Sequence, residues 1–464
     1  MKISVYSISG CLALFLCLSF YASAQNESSS VPTLSLAQCR AIALDSSLTI
    51  ENANLQYSKQ EYDRKAMLTN FFPKFSGYAL YLWTSRSLRY DVPMDKLLPP
   101  IIQPLIQDPA ILAQLAGMIQ PLPLELDPAN SYLAGVRVTQ PIFMGGKIAA
   151  GYKMSRIGSE MASLNIQKSR AEVITSVDEA YWTYVKTDKL RAAAHSFSQA
   201  VDSVYKTVQD AVDVGMATSN DLLKVKVQIN NARLMCSKAD NGSRLAMMNL
   251  CHSMGVPLDS ELDVVTEGFD VSEEPFDDLS GEVENRPEYK LLDRNAELKA
   301  QAIKVARADF LPQLGAMASY SYARGLDFLG SPLLNDTGFA VMATLKVPIF
   351  QWGEGVNKVR SAKKQHEMAL NEAQQMQDLM KLEMTKNRMD LTDAKLQADM
   401  AAASIEDAEM NLRKAVNRYQ TGMGTINDVL EAQSQRYKAE ADHIEAIAQC
   451  RLAYTKYLKS VGRL

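Results

Sequence analysis

Few residues in this sequence are arranged to do chemistry. The four histidines, His195, His252, His366 and His443, stand alone, and no pair of His, Cys or acidic residues has metal-ligand spacing. Gly145-Gly146-Lys147-Ile148 lacks the Ser or Thr that follows the lysine of a phosphate-binding loop. No nucleophile, base and orienting group can be assembled, so the sequence predicts no enzyme and no cofactor. The 22 methionines read as packing residues rather than copper ligands. What stands out is a pair of carboxylates at matching places, in Gly215-x-x-Thr218-x-x-Asp221 and Gly422-x-x-Thr425-x-x-Asp428. Each glycine can take the positive φ of a helix end, and each threonine can cap the next helix with its aspartate at the third helical position. The two aspartates are therefore helix caps, charges presented for a function, or both.

An internal repeat defines the elements that must hold these turns. Gly215 recurs as Gly422, an offset of 207 residues, and Pro141-Ile142-Phe143, Asn220, Leu223 and Gly255 recur at the same offset as Pro348-Ile349-Phe350, Asn427, Leu430 and Gly462. Upstream the offset becomes 239, since Phe71-Phe72-Pro73 matches Phe310-Leu311-Pro312, so the first copy carries 32 extra residues (239 less 207) between Tyr81 and Tyr132. The first repeat spans residues 25–255, with strands at about 71–83 and 132–143 and a long helix pair at about 147–254. A linker, the equatorial segment, covers 256–283. The second repeat spans 284–464, with strands at about 312–322 and 339–350 and a helix pair at about 354–462.

The strands alternate with period two. Phe75, Gly77, Ala79, Tyr81 and Trp83 share a face, as do Tyr132, Ala134, Val136, Val138 and Ile142, with Leu314 to Tyr322 and Phe339 to Ile349 as their counterparts; Arg137, Thr139, Thr344 and Lys346 point the other way. An apolar face with aromatic ends and a polar reverse is the wall of a transmembrane barrel. Four strands cannot close a barrel, and open edges cannot face lipid, so several chains must combine. Both long helical segments run without proline for roughly 100 Å at about 1.5 Å per residue. Heptad spacing of Leu190, Ala194, Phe197, Val201, Val204, Val208 and Ala211 gives one of them a seam for neighbouring helices.

Met1-Lys2, the apolar run Leu12–Phe20 and Ala22-Ser23-Ala24 form an export signal over residues 1–24. No later window has the ~20 apolar residues of a spanning helix. The formal net charge is -4, and -5 once Lys2 is removed, which argues against nucleic acid as a partner. Cys39, Cys236, Cys251 and Cys450 read as small helix residues.

Together these features resemble the TolC family of outer-membrane efflux proteins. The resemblance rests on the strand ends at Pro141 and Pro348, the two turns, and Glu284-Asn285-Arg286-Pro287-Glu288 opening the second copy; at the first copy's opening the sequence departs, reading Asp45-Ser46-Ser47-Leu48. It implies a mixed α and β fold, with four transmembrane β-strands per chain contributing to a twelve-stranded barrel in a homotrimer, continuous with a long periplasmic α-helical coiled-coil barrel. Such a chain sits in the cell outer membrane among its lipids and spans into the periplasm. Its partners are a periplasmic adaptor (membrane fusion) protein and an inner-membrane pump, and it passes small molecules such as drugs or metals. A protein-export channel of the same fold and a periplasmic coiled-coil scaffold are the alternatives.

The resemblance also assigns residues. Val214, Gly215 and Met216, with Gly422 and Met423, are the tips that contact the adaptor. Asp221, Asp428, Glu431 and Tyr419 form the periplasmic gate or acidic aperture. Gly424 stands where the family has its gate arginine, so that ion pair is missing. The proline-rich, weakly charged loop 91–130 either folds over the barrel mouth or against a neighbour, with a short helix at Asp108–Met118, or binds a partner.

Overall fold

The computed structural model describes residues 33–85, 88–92, 108–118, 122–127, 130–260, 262–266, 269, 282–328 and 331–464. The expected export signal and most prolines of the 91–130 loop lie outside them. The chain divides into two compact units, each built from both sequence repeats. The first takes residues up to 56, 163–291 and 374–464, and the second takes 57–162 and 292–373.

In chain order, β1 (Thr33–Leu34) leads into α1 (Leu36–Ser46), which Ser35 opens by a reciprocal capping box with Gln38, and α2 (Leu48–Leu68) follows after a break at Ser47. Next come β2 (Lys74–Leu82), β3 (Leu88–Val92), α3 (Pro109–Met118), β4 (Leu122–Asp127) and β5 (Ser131–Met144). The helices α4 (Lys147–Asp213) and α5 (Ser219–Met254) precede β6 (Asp263–Val264). The second copy supplies α6 (Pro287–Ala308), β7 (Gln313–Phe328), β8 (Ser331–Lys346), α7 (Glu354–Gln420) and α8 (Ile426–Ser460). Both α4 and α7 contain 67 residues and start and stop within one residue of the proline-free windows.

The second unit holds the antiparallel sheet, in which β2, β5, β7 and β8 lie side by side. Its registers confirm the period-two faces. Phe75, Val138, Ala318 and Val341 form one row; Gly77, Val136, Tyr320 and Phe339 form the next; Ala79, Ala134 and Tyr322 follow. Ser76, Arg137 and Ser319 make a row of the opposite face. Exposed Phe71, Phe72, Phe350 and Trp352 border the end joined to the helices, and Tyr81, Trp83 and Tyr132 border the other.

Three strand expectations need correction. The sheet has six strands rather than four, because the insert adds β3 and β4; β3 pairs with β4, and β4 continues along β7 through Leu126 opposite Phe328. The first copy's hairpin is thereby prolonged beyond the second's, with the expected helix, α3, inside the insert. Second, the register slips between Pro141 and Phe143, so Phe143, not Ile142, stands opposite Leu314 on the apolar face. Proline cannot donate to the ladder, and a bulge next to it is the usual accommodation. Third, β7 and β8 are longer at their shared turn than 312–322 and 339–350 allow, and β8 stops at Lys346, which leaves Pro348 and Ile349 outside the sheet.

The first unit has a core where α1, α4, α5 and α8 meet, with Cys39, Ala43, Val177, Tyr181, Trp182, Leu250, Ile444 and Ile447 buried together. The equatorial segment contributes β6, which pairs in parallel with β1. Within this apolar surrounding Asp178 is fully buried, gripped by Arg40 through Nε and Nη2 at 2.7 and 2.6 Å and by the Thr455 hydroxyl at 3.0 Å. A buried carboxylate survives only when paired and hydrogen-bonded in this way. All four cysteines of the described residues are buried and free. One histidine does not stand alone: His195 Nε2 lies 3.0 Å from Asp240 Oδ1, an exposed pair between α4 and α5.

Candidate functional site

The turn after α4 is closed by backbone hydrogen bonds from Gly215 to Val212 (3.0 Å) and from Met216 to Ala211 (2.7 Å). The turn after α7 repeats this pattern from Gly422 to Tyr419 (3.0 Å) and from Met423 to Arg418 (2.8 Å). This double closure places the glycine in the left-handed region, and Gly215 and Gly422 have φ of 78° and 72°. Each turn then opens its next helix with a capping box, Thr218 with Asp221 and Thr425 with Asp428. The capping expectation therefore holds at both places, where each cap stabilises by about 1 kcal/mol.

The tips expected to meet an adaptor are open to solvent, with Met216 85% and Met423 68% exposed and Val214 exposed beside them. Behind them α4, α5, α7 and α8 share an apolar cluster in which Val201, Val208, Val225, Ile426 and Val429 are buried, and Tyr419 is half-buried against it. Burial raises the Tyr419 hydroxyl above the ordinary tyrosine value, with the nearby Asp221 adding to the shift. Tyr419 of one repeat packs in the same apolar cluster as Leu222, the neighbour of Asp221 in the other. Asp428 and Glu431 line a separate groove of about 370 Å³ together with Lys414, Arg418, Asn411 and Gln435.

Both aspartates are held below the usual carboxylate range. For Asp221 the Thr218 hydroxyl is the main cause, at 2.7 Å, with Lys224 at 3.3 Å behind it. For Asp428 the Thr425 N–H, at 2.8 Å, comes first, then its hydroxyl, with Arg418 contributing charge.

Arg418 and Lys224 are the residues that sequence reasoning missed. Arg418 lies directly against Gly424, so closely that a Cβ added at Gly424 would come 3.1 Å from that of Arg418. The guanidinium reaches the Met423 carbonyl at 3.3 Å. A cation in the last helical turn, favoured by the helix dipole, was the available signal. The residues expected to form an acidic aperture thus lie in surroundings of mixed charge.

A family model described as "Outer membrane efflux protein" matches residues 40–256 and 283–463, which takes in both turns and all four long strands. The chain belongs to this family. Among curated relatives, the alkaline protease secretion protein AprF of Pseudomonas aeruginosa is 24% identical over 69% of each chain. The pyoverdine export outer membrane protein OpmQ of the same species is 23% identical over 70% of this chain and 68% of its own. In structure, the outer membrane protein VceC of Vibrio cholerae matches with a TM-score of 0.72 at 15% identity, covering 92% of this chain and 96% of that one. Members of this TolC-type family are outer-membrane channels extending into the periplasm and are not enzymes, and so is this chain. The scaffold alternative ends here.

Proposed function

We propose that three copies of this chain form a closed exit duct whose barrel takes four long strands from each, and that an adaptor and an inner-membrane pump deliver small molecules to it. The observation that carries this reading is the sheet of the second unit. One of its faces is apolar and exposed, yet among the described residues the outer edges of β2 and β8 have no partner. Such edges are untenable in lipid until a neighbouring copy pairs with them.

The helices support the same assembly. Leu382, Met389 and Leu396 of α7 recur every seven residues, all exposed, and α5 exposes Leu223, Val227 and Leu234. Seams of this kind bury themselves against helices of another copy. Met216 and Met423 serve as adaptable adaptor contacts, and Asp221, Asp428, Glu431 and Tyr419, joined by Arg418 and Lys224, form the periplasmic aperture.

The two relatives are named for different cargo, a protease and pyoverdine, so export of a polypeptide is the second reading. Comparing the secreted proteins of wild-type and deletion strains with their sensitivity to small toxic compounds separates the two. The duct itself is tested by Val136→Arg. Val136 lies midway along the apolar face, where an arginine costs ~2–4 kcal/mol per chain. Trimer insertion is expected to fail, and a variant that assembles normally would overturn the strand-to-lipid assignment.

A further inference from the structure

The apolar face of the sheet ends at a cation. From Leu314 to Arg324 along β7 there are ten steps, which at ~3.3 Å each and a tilt of ~40° rise roughly 25 Å, the height of a barrel's apolar band. In register, Tyr81, Tyr132, Arg324 and Asn335 make the row at that upper rim, at the end of the strands away from the helices. Arg324 is exposed, directly opposite Tyr132 in the register and two residues along its own strand from Tyr322. The two rings lie 5.9 Å apart. A guanidinium at the edge of an apolar face, flanked by two phenols, is a set of donors suited to an anion.

The backbone beside it is shaped for this place. The ladder slips just past Arg324, where Gly325 has φ of 99° and a Cβ would come 2.5 Å from the Asn130 carbonyl. Ser131 donates to the Gly325 carbonyl at 2.7 Å and secures the bulge. Bulges at barrel rims re-aim side chains, here at the level of lipid headgroups.

We propose that Arg324, with the Tyr132 and Tyr322 hydroxyls, binds the phosphate of an outer-leaflet lipid headgroup. The planar fork of arginine suits phosphate oxygens, and tyrosine at a membrane interface keeps its ring in the apolar layer and its hydroxyl in the polar one. This inference rests on the reading of the apolar face as lipid-facing.

The test uses the full-length protein extracted in detergent, with bisphosphorylated lipid A and its dephosphorylated form as probes, read by native mass spectrometry. Wild type is expected to retain the phosphorylated lipid, up to one per protomer, and not the dephosphorylated one. Arg324→Gln should weaken retention about tenfold, and Arg324→Lys, a point charge without the fork, by less. Oligomer mass and single-channel conductance should be unchanged in both variants. Equal retention by Arg324→Gln and wild type overturns the site, as does equal retention of the dephosphorylated lipid. Displacement by an equimolar amount of inorganic phosphate would make it a free-anion site and overturn the lipid assignment. Loss of the oligomer in Val136→Arg tests the lipid-facing wall separately, so the two readings can fail independently.

Discussion

The two helix turns have the same backbone and differently placed charges. Gly215 and Gly422 close their helices with matching hydrogen bonds, and Thr218 and Thr425 start the next helices alike. At the repeat offset, however, Ala211 stands where the second turn has Arg418, and Lys224 stands where it has Glu431. The first turn therefore has its cation after the capping aspartate, and the second has its cation before it. Duplication has preserved what the backbone needs while the charges, which the backbone hydrogen bonds and capping boxes do not require, have diverged. An aperture built from alternating copies of the two turns presents two kinds of charged step.

The largest effect tests what the turns share. Gly215→Pro with Gly422→Pro forces φ near -65° where it is 78° and 72°, at a cost of ~3 kcal/mol or more per site. Export should be abolished while the oligomer persists, since the sheet lies in the other unit. Unchanged export, measured by cargo accumulation in intact cells, would show that the turns are not the docking tips.

A smaller effect tests what they do not share. Exchanging the charges by Lys224→Glu should raise cation-to-anion permeability, and Glu431→Lys should lower it. Each shift should be about fivefold, corresponding to about 1 kcal/mol between charges a few ångströms apart in water. Planar-bilayer reversal potentials give the ratio, and block by a trivalent cation should follow it. If both variants match wild type, the aspartates act only as caps.

The smallest effect concerns acid. Both aspartates have folded-state values below the unfolded carboxylate value of ~3.9, so their contribution is complete above that value and is lost as pH falls through the folded one. The protection factors of amides at the first turns of α5 and α8, corrected for intrinsic exchange, should therefore fall at acid pH, with Thr218→Ala and Thr425→Ala already poorly protected at neutral pH. Protection factors that do not change with pH would remove the capping role.

Much of this was legible in the sequence because it is local. The 67-residue helices are bounded by prolines and glycines, and the capping boxes need only residues three apart. The strand faces were read correctly because one side had to be apolar. The slip at Pro141–Phe143 escaped because a bulge depends on the partner strand, and β3 and β4 escaped because prolines crowd the insert. Arg418 escaped because its proximity to Gly424 arises only when the chain wraps back over its own helix end, though pairing residues at the offset would have exposed the exchange of Lys224 for Glu431.

The buried Asp178 has a consequence for the order of events during biogenesis. Its two partners lie 138 residues before it and 277 residues after it, so the carboxylate has its full set of bonds only when Thr455 is in place. Contacts so distant in sequence form late. The first unit thus completes its core only once α8 has packed against α4, whatever the order in which its other helices form. Thr455 of α8 is the latch on the pairing of α4 with α1.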